Sequence, residues 1–313
     1  MLIPEESIRL MNSILEAFLR GQSPLVSFAG QLHGIARDLA GSGRGVARVG
    51  SVIRGLRRAE ALLRRPLCLA IMGEGNSGKS TLANLLLGSA IIPTLQLPNT
   101  RIPTLLRFSA RPAIAAMTAD GGRLPLVKGV LPAGEMIGVE VGLPLAHLQA
   151  CEILDFPGFA DPWLGYDSTD VARHRVDAAI WCTFSTQAWK ESERAAWHRL
   201  RPRIRRHALL AVTNADLLRN AQAEKVLARL GKVASADFGA TVLVASPKAQ
   251  RALGEAGGVA DAALWQGTGG AGFVDAVGAM LQQVREDRLR RAQTFACSIA
   301  GKTLDHLNAL ENH

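Results

Sequence analysis

The sequence is poor in cysteine, in tyrosine and in long apolar runs. Its 313 residues include four cysteines, one tyrosine and a 5 % share of aromatics. Cys68, Cys151, Cys182 and Cys297 lie far apart with no Cys-x-x-Cys pair, which argues against a disulfide framework and a thiolate metal centre. The seven histidines show no His-Glu-x-x-His or other close pairing, so no metal site built by the protein alone is expected. No stretch approaches 18 uninterrupted apolar residues, the length a membrane-crossing helix needs. The opening Met1-Leu-Ile-Pro, followed by Glu5 and Glu6, has neither the basic start nor the apolar run of a signal peptide. These absences predict a protein of the reducing cytoplasm.

What is present is a core and a charge. Hydrophobic residues make up 48 % and charged residues 20 %, enough for one large or two modest domains. The balance of 36 basic to 27 acidic residues gives a net charge of +9 and a pI near 10.0. Such a surface favours a polyanion: nucleic acid, an anionic membrane face or an acidic protein. Most of the excess is arginine, 29 of the 36, with the densest clusters in residues 46–65 and 199–206.

Residues 1–65 read as helical. Ile8, Met11, Ile14, Leu15 and Phe18 share one helical face. After the break at residues 41–45, Val49, Ile53, Leu56 and Leu63 form a second stripe beside Arg48, Arg54, Arg57, Arg58, Arg64 and Arg65. From Pro66 the texture changes to short apolar runs: 67–72, 102–108, 113–118, 152–155, 178–184, 208–213 and 241–245. Helical patterns at 81–87, 187–200 and 216–230 lie between several of them. Alternation of this kind predicts an α/β domain with a mostly parallel sheet and helices on both faces. Asp120-Gly121-Gly122 predicts one antiparallel hairpin. Beyond residue 251 the strands stop, and residues 273–284 and 285–310 read as two helices behind a hinge at 267–272. The expected division is 1–65, 66–252 and 253–313.

One motif carries chemistry. Gly73-Glu74-Gly75-Asn76-Ser77-Gly78-Lys79-Ser80 matches GxxxxGK[ST], follows an apolar run and opens a helix with Thr81. Backbone N–H groups of such a loop curl around phosphates, and the helix start adds its positive dipole end. Lys79 is expected on the β- and γ-phosphates and Ser80 Oγ on Mg²⁺. In Asp155-Phe-Pro-Gly158 an acid ends a strand three residues before a glycine. That pattern suits a metal-side carboxylate and a turn that senses the γ-phosphate.

Residues 73–88, 92–108, 139–158 and 177–193 resemble the dynamin-like GTPases of bacteria, and the likeness extends over about residues 66–250. Phe156 stands where that family usually has threonine. The resemblance implies a P-loop GTPase G domain at 66–252 flanked by helices that form a bundle, with GTP as substrate and Mg²⁺ as cofactor. It implies that Thr100 closes on Mg²⁺ and the γ-phosphate. It places Thr213-Asn214-Ala215-Asp216 at the family's TKxD position, with Asp216 accepting from guanine N1 and N2, and puts Ser246 in the last loop beside the base. Asn214 replaces the lysine that packs on the base, which implies a weaker hold on guanine. Gly75 replaces the glutamine that orients water in eukaryotic dynamins. Asn76 occupies the place of a cation-binding asparagine in K⁺-activated GTPases, so K⁺ is a second expected cofactor, acting as G domains dimerise.

The expected partners are GTP and GDP, a second G domain or a paired dynamin-like subunit, and an anionic membrane surface, with nucleic acid ranked behind. Three function classes remain open: a self-assembling GTPase peripheral to the inner membrane face, a regulatory GTPase on RNA or the ribosome, and a nucleotide-binding scaffold with little turnover. Other signals weigh less. Gly267-Thr-Gly-Gly-Ala-Gly272 matches GxGxxG without a leading strand and reads as a hinge. Trp189 and Trp197, eight apart, read as core positions on one helix, and residues 198–206 as a basic loop.

Overall fold

The computed structural model describes residues 54–55, 61, 63–88, 102–126, 136–158, 175–254 and 259–311. The chain divides into two compact units, Pro66–Val284 and Met1–Arg65 with Arg285–His313.

The first unit is built on a nine-stranded sheet in the order β4-β3-β5-β2-β6-β1-β7-β8-β9. Its strands are β1 (Leu67–Gly73), β2 (Thr104–Phe108), β3 (Ala113–Thr118), β4 (Arg123–Pro125), β5 (Met136–Leu143), β6 (Cys151–Asp155), β7 (Ala178–Phe184), β8 (Ala208–Thr213) and β9 (Ala240–Val244). Strands β6, β1, β7, β8 and β9 run parallel, as does β2 beside β5. β2 meets β6 antiparallel, and β3 runs antiparallel to both β4 and β5. The fold is the expected α/β class, and the hairpin at Asp120 joins β3 to β4. Strand β5 carries two glycines and Glu140, which hides it in the hydrophobic pattern. Glu140 is tolerated there because Arg123 Nε lies 2.6 Å away and Arg107 Nη1 3.3 Å.

β1 is buried along its whole length, as a central parallel strand must be. Its alternate side chains feed two cores. Leu67, Leu69 and Ile71 pack with α1 (Lys79–Leu87) and with Phe273, Val277, Met280 and Val284. Those four form one stripe at helical spacing on α3 (Gly270–Glu311). Cys68, Ala70 and Met72 face the opposite layer, which centres on Trp181, Trp189, Trp197 and Phe238. Trp181 and Trp197 meet edge to face with ring centroids 5.6 Å apart, and Trp197 lies 4.7 Å from Phe238.

Four local expectations change. The last helix is continuous from Gly270 to Glu311, since no glycine or proline interrupts it at residues 284–285. Residues 267–269 are a packed turn, not a hinge: Ala245 N–H donates to Thr268 O, and Thr268 Oγ1 accepts from Gly270 N–H. Trp189 precedes α2 (Glu191–Arg199) with φ 57°, so the two tryptophans share a core but not a helix. Within 198–206, Pro202–Arg205 forms a helical turn with Ile204 buried. His198 and Arg205 both reach Asp237 Oδ1, at 2.8 Å and 3.8 Å, while Arg199, Arg201 and Arg203 stay exposed.

In the second unit, Arg54, Gly55, Ala61, Leu63 and Arg64 are helical, and the rest of the basic stretch at 46–65 lies largely outside the described residues. Arg288 Nη1 donates to Arg65 O at 2.9 Å, and buried Asp287 pairs with Arg290 and Arg291. No helix among the described residues is long and apolar enough to cross a membrane.

Trp197 is fully buried at the centre of the aromatic layer. Trp197→Ala is expected to destabilise the Pro66–Val284 unit by about 3–5 kcal/mol, read as the shift in urea-unfolding free energy. A loss below about 1 kcal/mol would show that this layer is not a core.

Candidate nucleotide-binding site

The site lies at the carboxyl ends of the central strands, where the chain leaves β1 toward one side of the sheet and β7 lies on the other. Gly73 ends β1 with φ 145°, and a Cβ there would sit 2.3 Å from Cys182 O on β7. Only glycine lets the two strands come so close before the loop turns away. The loop Glu74–Gly78 follows, with Asn76 exposed at φ 59°, and α1 starts at Lys79. Thr81 lies in the first turn of that helix.

Lys79 is buried, and its Nζ donates to Glu74 O at 2.5 Å. Burial pushes the ammonium below its ordinary pKa, while Cys182, Asp155 and Glu74 act in the opposite sense. Ser80 Oγ donates to Asp155 Oδ2 at 3.2 Å, so the helix start and the end of β6 meet. Asp155 Oδ1 is shut off from solvent and has no hydrogen-bond partner among the described residues. Burial raises the Asp155 pKa to about 6, against the pull of Lys79 and Ser80. A shielded carboxylate oxygen beside a serine hydroxyl is an oxygen donor set that fits a hard divalent cation such as Mg²⁺. Gly158 touches the loop directly, since a Cβ on it would lie 2.7 Å from Gly75 N.

The strand-end residues behind the loop are tied to it. Thr213 is fully buried, and its hydroxyl lies 2.8 Å from Ser77 O and 3.2 Å from Thr183 O. Asn214 takes the left-handed conformation at φ 51°. Its N–H faces Ser246 Oγ at 3.5 Å, and its carbonyl accepts from Ser185 Oγ at 2.8 Å. Asp216 follows in a short turn, with Lys248 Nζ 3.9 Å from its Oδ2. Thus Gly73, Glu74, Gly75, Asn76, Ser77, Gly78, Lys79, Ser80, Asp155 and Gly158 form one cluster, and Thr213, Asn214, Asp216 and Ser246 a second. Thr213 joins the two. Thr100 lies outside the described residues.

Sequence reasoning missed the partners of Glu74. Its carboxylate lies 2.6 Å from Lys190 Nζ and accepts from Ser192 Oγ at 2.7 Å. Both residues come from the segment before and at the start of α2. Glu193, buried one residue on, accepts from Thr183 Oγ1, Lys190 N–H and Trp181 Nε1 at 2.8, 3.1 and 3.3 Å. Burial raises its pKa. The available signal was the string Lys-Glu-Ser-Glu before a helix, which marks a helix start but not the loop it reaches.

The Asp155 shift yields a pH test. Its folded pKa lies above the ordinary carboxylate value, so the protonated side chain is favoured in the fold, and that stability is lost as pH rises through about 6. In metal-free protein, Asp155→Asn should gain little near pH 4 and up to about 3 kcal/mol at neutral pH, by urea unfolding. A difference that does not change with pH would refute the buried-carboxylate assignment.

Residues 69–123 match the family model of the Dynamin family. Over 120 residues the chain is 36 % identical to Isoniazid-induced protein IniC of Mycobacterium tuberculosis, strains CDC 1551 / Oshkosh and ATCC 25618 / H37Rv. That match takes in 35 % of this chain and 24 % of IniC, so the likeness spans about a quarter of the relative. Two solved chains of an oligomerised bacterial dynamin pair, described as a mechanism for long-range sensing and tethering of membranes, share the fold. Each has a TM-score of 0.58 and 17 % identity; 92 % of this chain covers 57 % of one, and 90 % covers 47 % of the other. Residues 69–123, which hold the P-loop, are thus similar to the Dynamin family, and the chain shares the fold of the bacterial dynamin pair.

Proposed function

We propose that this protein binds GTP and hydrolyses it with Mg²⁺, as a nucleotide-driven assembly switch at an anionic membrane surface. The observation that carries the reading is the meeting of Lys79, Ser80 and Asp155 at the mouth of the loop, with one carboxylate oxygen unpartnered among the described residues. Ser80 and Asp155 would hold the Mg²⁺, which when bound neutralises phosphate charge. Lys79 and the loop N–H groups bind the β- and γ-phosphates, and the Gly158 turn lies against the loop where a γ-phosphate is sensed. Thr100, outside the described residues, takes the switch role on Mg²⁺ and the γ-phosphate in this reading. Gly75 has no side chain to orient water, so charge stabilisation rests on Lys79 and on a K⁺ held through Asn76 when G domains pair.

Asp216 selects the base by accepting from guanine N1 and N2, which adenine cannot match. Lys248, placed beside Asp216, supports that edge where Asn214 lacks the usual lysine. The membrane reading draws support from the net charge of +9 and from the membrane-tethering dynamin pair that shares the fold.

Two experiments test this. Asp216→Asn should weaken GTP binding roughly 30- to 100-fold by titration calorimetry and improve binding of xanthosine triphosphate. An unchanged GTP affinity would remove Asp216 from the base site. Turnover per molecule should rise with protein concentration, with K⁺ in place of Na⁺ and with anionic liposomes. Turnover indifferent to all three would remove the assembly, K⁺ and membrane readings, and GTP binding without turnover would leave a nucleotide-binding scaffold.

A further inference from the structure

Glu74 has the wrong sign for its place. A loop shaped to receive a polyphosphate carries a carboxylate one residue after its first glycine, and like charges in one site oppose each other. The Glu74 charge acts on Lys79, the residue expected on the phosphates, so it lies within the field of the site. Its carboxylate is held by Lys190 Nζ at 2.6 Å and Ser192 Oγ at 2.7 Å. Asn76 and Ser77, the next polar residues of the loop, have no such cation beside them among the hydrogen bonds and ion pairs described.

Lys190 is delivered to this position by a fastened segment. Its own N–H and Thr183 Oγ1 both donate to the buried Glu193 carboxylate, and Trp189 N–H donates to Thr183 Oγ1 at 2.9 Å. The Thr183 carbonyl lies 3.2 Å from Thr213 Oγ1, which is also 2.8 Å from Ser77 O. The circuit leaves the loop at Glu74 and returns to it at Ser77. An ammonium that close to the loop mouth, yet committed to a carboxylate, cancels a charge in place.

Building on the GTP-binding reading above, we propose that Lys190 is a positioning residue for the triphosphate. It neutralises Glu74 and, with Ser192, draws its carboxylate aside, so that the loop mouth keeps its attraction for the γ-phosphate. Lys190 acts through Glu74 and does not itself touch nucleotide. The consequence is an asymmetry. Removing the lysine exposes an uncompensated carboxylate to the phosphates, whereas removing the carboxylate exposes a lysine, which repels nothing. A pair that merely braced the loop would suffer from either change alike.

The test is titration of the full chain with fluorescent analogues of GTP and GDP in the presence of Mg²⁺. Lys190→Met is expected to weaken the GTP analogue roughly tenfold, and the GDP analogue less. Glu74→Gln, which removes the like charge and frees Lys190, should bind the GTP analogue tighter than wild type, Glu74→Gln/Lys190→Met should recover to within about twofold of wild type, and Lys190→Arg should retain wild-type affinity. Urea-unfolding midpoints equal to wild type establish that each variant is folded. The proposal is overturned if Lys190→Met binds as wild type, or if Glu74→Gln weakens binding as much and the double variant does not recover. A folded wild type that binds neither analogue would instead overturn the GTP-binding reading, and this proposal with it.

Discussion

Everything at the site follows from burying one ammonium. Lys79 is enclosed where β1 gives way to α1, and a buried cation is tolerated only beside compensating acceptors. The Glu74 carbonyl supplies the direct bond, while Asp155 supplies charge from the end of β6. Those demands explain why the loop must double back over its own lysine. They also explain why β6 ends in an acid and why Gly73 must pass so close to β7. Asp155 is the other half of the same problem, since it is buried enough to favour its protonated form yet lies beside a lysine that favours the charged one.

The sheet then serves as a rigid mount. β1 and β7 are buried on both faces, so their carboxyl ends have little freedom. Thr213 extends this rigidity from β8 to the loop by placing its hydroxyl between Ser77 O and Thr183 O. The Glu74–Gly78 loop and the Asn214–Asp216 turn are therefore registered to each other through one buried threonine. Neither depends on a flexible loop for its alignment.

Much of this was legible in the sequence. The apolar run 67–72, the GxxxxGK[ST] motif and the acid at residue 155 predicted the strand, the loop and their meeting, because each is a local pattern with one physical solution. The strands at 113–118, 178–184 and 208–213 appear with the expected bounds. What escaped was set by distant partners. Strand β5 reads as broken because Glu140 interrupts it, and only Arg107 and Arg123 on neighbouring strands make it permissible. Residues 267–269 read as a flexible glycine run because the bond from Ala245 to Thr268 is invisible along the chain. Trp189 reads as part of a helix that starts two residues later, since Glu193 turns back to cap Lys190. The Glu74–Lys190 pair spans more than a hundred residues, and no spacing rule reaches that far.

The aromatic layer has an optical consequence. Trp181 donates its indole N–H to Glu193, and Trp189 is fixed by Thr183 beside Lys190, so two fluorophores lie within one or two bonds of the segment that holds Glu74. Their packing against Trp197 and Phe238 keeps the rings in van der Waals contact and in mutual energy-transfer range. Three of the five tryptophans therefore share a single locality, next to the mouth of the Glu74–Gly78 loop. The molecule carries its own unlabelled probe of that locality, and a shift in emission colour would report the electric field there.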